Sequence, residues 1–158
     1  MGYIDSSAFK NIIDCYSDFL GDTLISIVLF GSRAREDAKE SSDYDLFIVA
    51  EGLPIKPFQR VLFIREPLKG QFEEKLCIIA KTPGEVLGTF PPLFLDIGLD
   101  GIILFDKNDF FKNLQKRIRD IIQQAGLQRK RINGEFFWEW QTPPEYGWEI
   151  TWSGYRAF

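Results

Sequence analysis

The stretch "LFGSRAREDAKESSDYDLFIVA", residues 29–50, decides the fold predicted for this chain. It joins the end of one mostly apolar run, 24–30, to a second such run, 43–50, through a short charged segment. Apolar runs of this length, rich in β-branched residues, are typical of strands buried on both faces. The charged segment 33–40 predicts a short helix or helical turn, so the sequence predicts strand, turn, helix and strand.

Two pairs of residues stand where this unit changes direction: Gly31 with Ser32, and Asp43 with Asp45. Side chains alternate along a strand, so both carboxylates should share one face, about 6–7 Å apart, and could bind one hard cation such as Mg²⁺. Gly31 permits a positive φ and a close approach of phosphate, while Ser32 offers a hydroxyl at the start of a helix whose amides attract anions.

Arg33 and Arg35 would add positive charge near a phosphate bound at this turn. Each part also has an ordinary explanation: a Gly-Ser turn is usually only a turn, and arginines among acids usually form a solvated face. The order and spacing of all the parts are more specific. Together they predict a metal-nucleotide site for phosphoryl or nucleotidyl transfer.

Outside this unit, the hydrophobic pattern predicts further helices and strands in alternation. Helices are expected over 7–20, 83–99 with a break near Pro91-Pro92, and 108–127, and strands over 72–80 and 101–106. The segment 58–66 fits either a helix or a strand, and the need for a connection between parallel or mixed strands favours a helix. The predicted cap residues are Ser6 or Ser7, Thr82, Asn108 or Asp109, and Gly126 as a helix stop.

Composition narrows the classes of function. A chain of 158 residues is expected to form one folded unit, and its net charge of -4 argues against a mainly electrostatic hold on nucleic acid. The absence of histidine removes the usual Ser-His-Asp and Cys-His nucleophiles and the common zinc sites. Without a long apolar run or a basic leader, a cytoplasmic protein is expected, with Cys15 and Cys77 as reduced thiols.

The segments "GSRAR" and "SDYDL" resemble the signature Gly-Ser-x-x-Arg…Asp-x-Asp-Leu of the minimal nucleotidyltransferase domains of the DNA polymerase beta superfamily. The resemblance is strongest over 24–50 and extends in layout to about residue 106. It implies an α/β (α+β) fold with a mixed sheet of about four strands flanked by helices. Many small relatives act as antitoxins that adenylylate a helical partner toxin, so a protein partner of that kind is implied.

The resemblance also implies a reaction and the residues that perform it. The reaction is Mg²⁺-dependent transfer of a nucleoside monophosphate, with AMP from ATP favoured, to a hydroxyl of a protein or small molecule. Gly31 and Ser32, assisted by Arg33 or Arg35, would bind the nucleotide phosphates. Asp43 and Asp45 would bind one or two Mg²⁺ ions.

The family's third carboxylate, on a neighbouring strand, is the main departure. It usually precedes a Thr-Pro pair by about five residues, and counting back from Thr82 gives Cys77. Glu73 shares the face of Cys77 but lies about 13 Å away along a strand, so it is a catalytic candidate only in a different register. Solvated glutamates at a strand start explain Glu73 and Glu74 more simply. Without a third acid, the alternative is a non-catalytic nucleotide-binding or regulatory module.

The last 23 residues differ in character from the rest, since nine of them are aromatic. We expect a nucleotidyltransferase-like domain over 1–128 and an aromatic-rich extension, 129–158, packed on the same domain. Core packing, a partner or dimer surface, and nucleobase stacking explain the aromatics in that order of preference. Three acids around the fourth strand are assigned to caps and turns: Asp96, Asp100 and Asp106.

Overall fold

A computed structural model describes residues 6–72 and 75–158. Its centre is a four-stranded sheet in the order β3-β2-β1-β4. The strands are β1 (Leu24–Phe30), β2 (Tyr44–Ala50), β3 (Leu76–Lys81) and β4 (Ile102–Asp106). β1 is antiparallel to β2 and β4, whereas β2 and β3 are parallel. The predicted mixed sheet is therefore confirmed, with the third strand starting later than predicted.

Six helices flank this sheet in the described part of the chain. They are α1 (Ser6–Leu20), α2 (Ser32–Arg35), α3 (Pro57–Arg65), α4 (Pro83–Gly88), α5 (Leu93–Asp100) and α6 (Phe110–Ala125). The helical interpretation of 58–66 and the break near Pro91-Pro92 are confirmed. Among the residues described, no helix is both long and apolar enough to cross a bilayer.

Two apolar layers form the core, because alternate strand residues point to opposite faces of the sheet. Ile27 and Leu29 belong to the layer that contains α1, and Val28 and Phe30 to the layer that contains α5 and α6. In the first layer the fully buried hydroxyl of Tyr16 donates to the carbonyl of Ile64 at 2.8 Å. Helices on both faces thus explain why the two central strands are almost uniformly apolar.

At the start of α6, the side chain that caps the helix is not the predicted one. Asn108 and Asp109 both have a positive φ, and the side chain of Asp109 makes no capping hydrogen bond. The carboxylate of Asp106 accepts instead from the amides of Phe111 and Lys112, both at 2.9 Å. Asp109 is the N-cap residue by position, as predicted, but the capping hydrogen bonds come from Asp106, one of the acids assigned to caps near the fourth strand.

Two β-hairpins follow α6, which ends at Gly126 as predicted. The first pairs β5 (Leu127–Ile132) with β6 (Glu135–Trp140), and the second pairs β7 (Trp148–Thr151) with β8 (Gly154–Ala157). The predicted boundary between 128 and 129 falls inside β5. Trp138 and Trp152 pack against the core layer of α5 and α6.

Candidate functional site

The site begins where β1 ends and β2 starts. Phe30 is paired with Asp45, so the turn that follows β1 passes directly beside this carboxylate. Gly31 has φ 73° and ψ -157°, a conformation that residues with a side chain rarely adopt. A Cβ built on Gly31 would overlap Oδ2 of Asp45 and lie 3.1 Å from its Cγ. Only glycine therefore lets the carboxylate approach the backbone at this point.

Ser32 opens α2 directly after this contact. The carbonyl of Gly31 accepts from the amides of Ala34 and Arg35, both at 3.1 Å, which closes the helical turn. The first amides of a helix have no partner within the helix and favour anions. The predicted phosphate-binding turn and the predicted carboxylate are thus neighbours.

Asp43 and Asp45 lie at the start of β2, where the negative charge of Asp43 acts on Asp45. Partial burial raises the pKa of Asp45 above its ordinary value, and the negative charge of Asp43 raises it further. The polar thiol of Cys77 and the positive charge of Arg35 act in the opposite direction and lower the pKa. Two carboxylates held together offer oxygen ligands, the donor type that Mg²⁺ prefers, and a cation would relieve their repulsion.

Cys77 occupies the neighbouring position on β3. It is paired in register with Asp45, and its thiol stabilises the charge of that carboxylate. Partial desolvation and the charge of Asp45 raise the pKa of the Cys77 thiol, so the group stays protonated near neutral pH. The position facing Asp45 on the adjacent strand is thus filled by a neutral thiol rather than by an acid.

Arg33 contacts the loop that leads to the two aspartates. Its guanidinium donates to the carbonyl of Ser42 at 2.8 and 3.2 Å and to the carbonyl of Glu40 at 3.1 Å. It also lies 4.6 Å from the ring centre of Tyr44. Arg33 therefore holds the residues on both sides of Asp43.

Arg35 acts on the carboxylates electrostatically, since its positive charge lowers the pKa of Asp45. Its Nε donates to Asp37 and its Nη1 to Asp100, each at 3.3 Å. Asp100 was predicted to serve a cap or turn, but its carboxylate instead pairs with Arg35 and, at 2.6 and 2.8 Å, with Arg129. No local sequence signal indicates this contact, because α5 and β5 are far apart along the chain.

Asp96 also departs from its predicted assignment. It lies in the first turn of α5, where its carboxylate accepts from Arg129 at 3.1 Å and from the indole of Trp138 at 3.0 Å. The acid therefore ties the first hairpin to α5.

Glu73, the predicted third carboxylate, and its neighbour Glu74 lie outside the described residues. Within 6–72 and 75–158, no group of three histidine, cysteine, aspartate or glutamate side chains is arranged to hold one metal ion. Asp43 and Asp45 stay the pair that the sequence predicts for a metal ion.

Comparison with known proteins identifies the family. The sequence model "Polymerase beta, Nucleotidyltransferase" matches residues 10–110, nearly two thirds of the chain. The chain belongs to the polymerase beta nucleotidyltransferase family. The nucleotidyltransferase region so defined contains the whole sheet and the site, and it ends before α6 is complete.

A relative of known name supports this assignment, and two solved structures have a similar fold. A Methanocaldococcus jannaschii protein named "Putative protein adenylyltransferase" is 34% identical over 130 residues, covering 77% of this chain and 88% of that protein. A crystal structure of a toxin-antitoxin with AMP-PNP has a TM-score of 0.54 at 17% identity, over 73% of this chain and 87% of that one. A mutant of the toxin-antitoxin MntA-HpeT has a TM-score of 0.52 at 15% identity, with the same coverages. The two structural likenesses establish a shared fold.

Proposed function

We propose that this chain is a Mg²⁺-dependent nucleotidyltransferase that transfers AMP from ATP to a hydroxyl of a protein or small molecule. The observation that carries the proposal is the contact of Asp45 with Gly31, which brings the Gly-Ser turn and the paired carboxylates to one end of the sheet. Membership of the polymerase beta nucleotidyltransferase family supports the reaction class.

In this proposal each part of the site has one task. Asp43 and Asp45 would hold Mg²⁺, which supplies charge neutralisation at the phosphates when it is bound. The amides at the start of α2, with the Ser32 hydroxyl, would bind phosphate oxygens, and Arg35 would add positive charge. Transfer forms a bond from the acceptor hydroxyl oxygen to the α-phosphorus and breaks the bond to pyrophosphate. The hydroxyl proton then needs an acceptor.

The proton acceptor is the weakest part of the site. Cys77, a protonated thiol paired in register with Asp45, is a poor general base, and Glu73 remains the candidate that the sequence predicts. Loss of a base costs about 10²- to 10⁴-fold in rate. Cys77 therefore favours a second candidate function, a nucleotide-binding or regulatory module with little transfer activity.

The acceptor and partner are proposed on different grounds. The name of the Methanocaldococcus jannaschii relative supports a protein acceptor, and the toxin-antitoxin structures of similar fold support a helical toxin as the partner. Exposed aromatic side chains of the extension, among them Tyr146 and Trp148, support a surface for such a partner or for a second copy of the chain. Cytoplasmic localisation stays a prediction.

Calorimetry with AMP-PNP and GMP-PNP, with and without Mg²⁺, tests the nucleotide site. We expect Mg²⁺-dependent binding of AMP-PNP to the wild type. In the double variant Asp43→Ala/Asp45→Ala, affinity should fall about 100-fold or more, since even outer-shell changes at metal sites cost 10- to 100-fold.

The matched control is Asp14→Ala/Asp18→Ala, which removes the same charge from the exposed side of α1. It should bind like the wild type. Equal, metal-dependent binding by the site variant and the wild type would contradict the assignment of Asp43 and Asp45, and no binding by the wild type would contradict the proposed function itself.

A further inference from the structure

The side chain of Arg35 is oriented by groups from three separate parts of the chain. Its ion pairs reach Asp37 in the loop after α2 and Asp100 at the end of α5. Its guanidinium also lies 4.6 Å from the ring centre of Phe136 on β6. Only 22% of the side chain is exposed, so the three contacts largely enclose it.

Phe136 is shared by a group of arginines. Arg129 and Arg131, both on β5, lie 4.4 and 5.1 Å from the same ring centre, and Arg131 is the register partner of Phe136. A cation over an aromatic face is attracted by the ring quadrupole. The ring therefore acts together with the neighbouring carboxylates in holding the three arginine side chains close to one another.

Asp100 is held more tightly by the hairpin than by α2. Arg129 bonds both of its oxygens, at 2.6 and 2.8 Å, which is the strong bidentate geometry of an arginine and a carboxylate. The bonds from Arg35 to Asp37 and Asp100 are both 3.3 Å, longer than the usual 2.7–2.9 Å for such pairs. Arg35 is thus oriented by its neighbours while it keeps capacity to bond a phosphate.

We infer that Phe136 and Asp100 are positioning residues of the nucleotide site, which hold the guanidinium of Arg35 at the end of α2, the short helix that begins at the Gly31-Ser32 turn. The inference rests on the proposed function and extends it, because β6 lies outside the region 10–110 that defines the family. If Phe136 positions Arg35, the hairpin of β5 and β6 forms part of the nucleotide site.

The test uses the affinity of the full chain for AMP-PNP with Mg²⁺, measured by calorimetry. Phe136→Leu keeps an apolar side chain but removes the ring, and should weaken binding about two- to fivefold, the equivalent of one exposed cation-aromatic contact. Phe136→Tyr keeps the ring and should retain wild-type affinity. Phe137→Leu is the matched control, since Phe137 is the exposed next residue of β6, on its other face.

A double-mutant cycle separates positioning from a general effect on the fold. In an Arg35→Ala background, Phe136→Leu should no longer change the affinity, because the group that it positions has gone. A thermal melt of every variant accompanies the cycle, and Phe136→Met replaces Phe136→Leu if the latter lowers the melting temperature more than Phe137→Leu does.

The possible outcomes distinguish this inference from the proposed function. Weaker binding by the Phe136 variant that vanishes without Arg35 supports it. Unchanged binding, or the same loss with and without Arg35, overturns the inference and leaves the proposed function intact. A wild type that binds no AMP-PNP overturns both.

Discussion

At the scale of single residues, Asp45 connects the features of the site. Its carboxylate lies against the backbone of Gly31, is repelled by the charge of Asp43 two residues earlier and is stabilised by Cys77 on the neighbouring strand. Each neighbour changes the charge that Asp45 can carry, since Asp43 adds repulsion and Cys77 stabilises the carboxylate. The least usual neighbour for a transferase is the thiol, which occupies the register position nearest to Asp45 on β3.

The variant Cys77→Asp would place a carboxylate at that position. We expect Mg²⁺-dependent release of pyrophosphate from ATP, with water as the acceptor, to rise about 10²-fold, the lower end of what a general base contributes. A release assay with purified protein, followed from pH 6 to 9, measures the change.

Cys77→Asn is the matched control, because asparagine has the shape of aspartate without its basicity. It should release pyrophosphate no faster than the wild type. Equal rates for the two variants would mean that position 77 does not receive the proton, and Glu73 would then be the residue to change.

At the scale of elements, the guanidinium of Arg60 joins three pieces of the fold. From α3 it donates to the carbonyl of Ala80 on the edge strand β3, at 3.2 Å, and forms a bidentate pair with Glu85 of α4, at 2.7 and 2.8 Å. Glu85 also completes a capping box with Thr82, the residue predicted to cap this helix. One ion pair therefore supports a helix start and covers part of an exposed sheet edge.

The bond from Arg60 lowers the pKa of Glu85 from 4.5 to about 2. A carboxyl whose pKa is lower in the folded protein stabilises it above pH 4.5, and that contribution is lost as the pH falls toward 2. Glu85→Gln preserves the capping box and removes the charge. We therefore expect the free energy of unfolding at pH 7 to fall by about 0.5–1 kcal/mol, after allowance for solvent screening of a side chain that is 41% exposed.

Urea denaturation at pH 7, 5 and 3 measures this effect. The difference between Glu85→Gln and the wild type should shrink below pH 4.5. Glu51→Gln, a change at an exposed glutamate, is the control and should show no such trend. A difference for Glu85→Gln that stays constant with pH would indicate lost packing instead of a lost ion pair.

The elements also show how far sequence patterns reach. Continuous apolar runs predict β1 and β2 because both strands are covered on two faces. The hairpin of β5 and β6 escaped prediction, although Asn133-Gly134, both at positive φ, is a typical two-residue hairpin turn. Charged residues on β5 conceal the alternation that would mark a strand, since their partners come from other elements.

At the scale of the whole molecule, local sequence patterns likewise predict only part of the site. Gly31 and Asp45 are predictable because the two strands that carry them are consecutive and paired. The contacts of Arg35 with Asp100 and Phe136 are not, because they depend on how α5 and the hairpin pack against α2. Local spacing therefore predicts the residues proposed to perform the chemistry, whereas the residues that orient Arg35 are recognised only in the folded structure.

The docking of the second hairpin depends mainly on Trp152, in the turn between β7 and β8. Its indole donates to the carbonyls of Val86 and Thr89, at 2.8 and 2.9 Å, and its ring packs against Phe90 and Phe94, with centroid distances of 4.8 and 5.7 Å. Its own carbonyl accepts from Arg117 of α6 at 2.9 Å. The side chain thus joins the extension to the helices behind the sheet.

Trp152→Ala should consequently lower the free energy of unfolding of the whole chain by about 3 kcal/mol, as expected for a large core aromatic. Trp148→Ala is the matched control: Trp148 is about half exposed and makes an edge-to-face contact with Trp140 of the same extension, so its loss should cost about 1 kcal/mol. Urea denaturation, monitored by both circular dichroism and fluorescence, measures the two changes.

A loss in free energy of unfolding for Trp152→Ala no larger than that for Trp148→Ala, or separate transitions for the two signals, would mean that the extension folds independently of the nucleotidyltransferase region. The hairpin of β5 and β6 could then not fix the orientation of Arg35, because a hairpin that unfolds separately cannot hold the guanidinium in one direction.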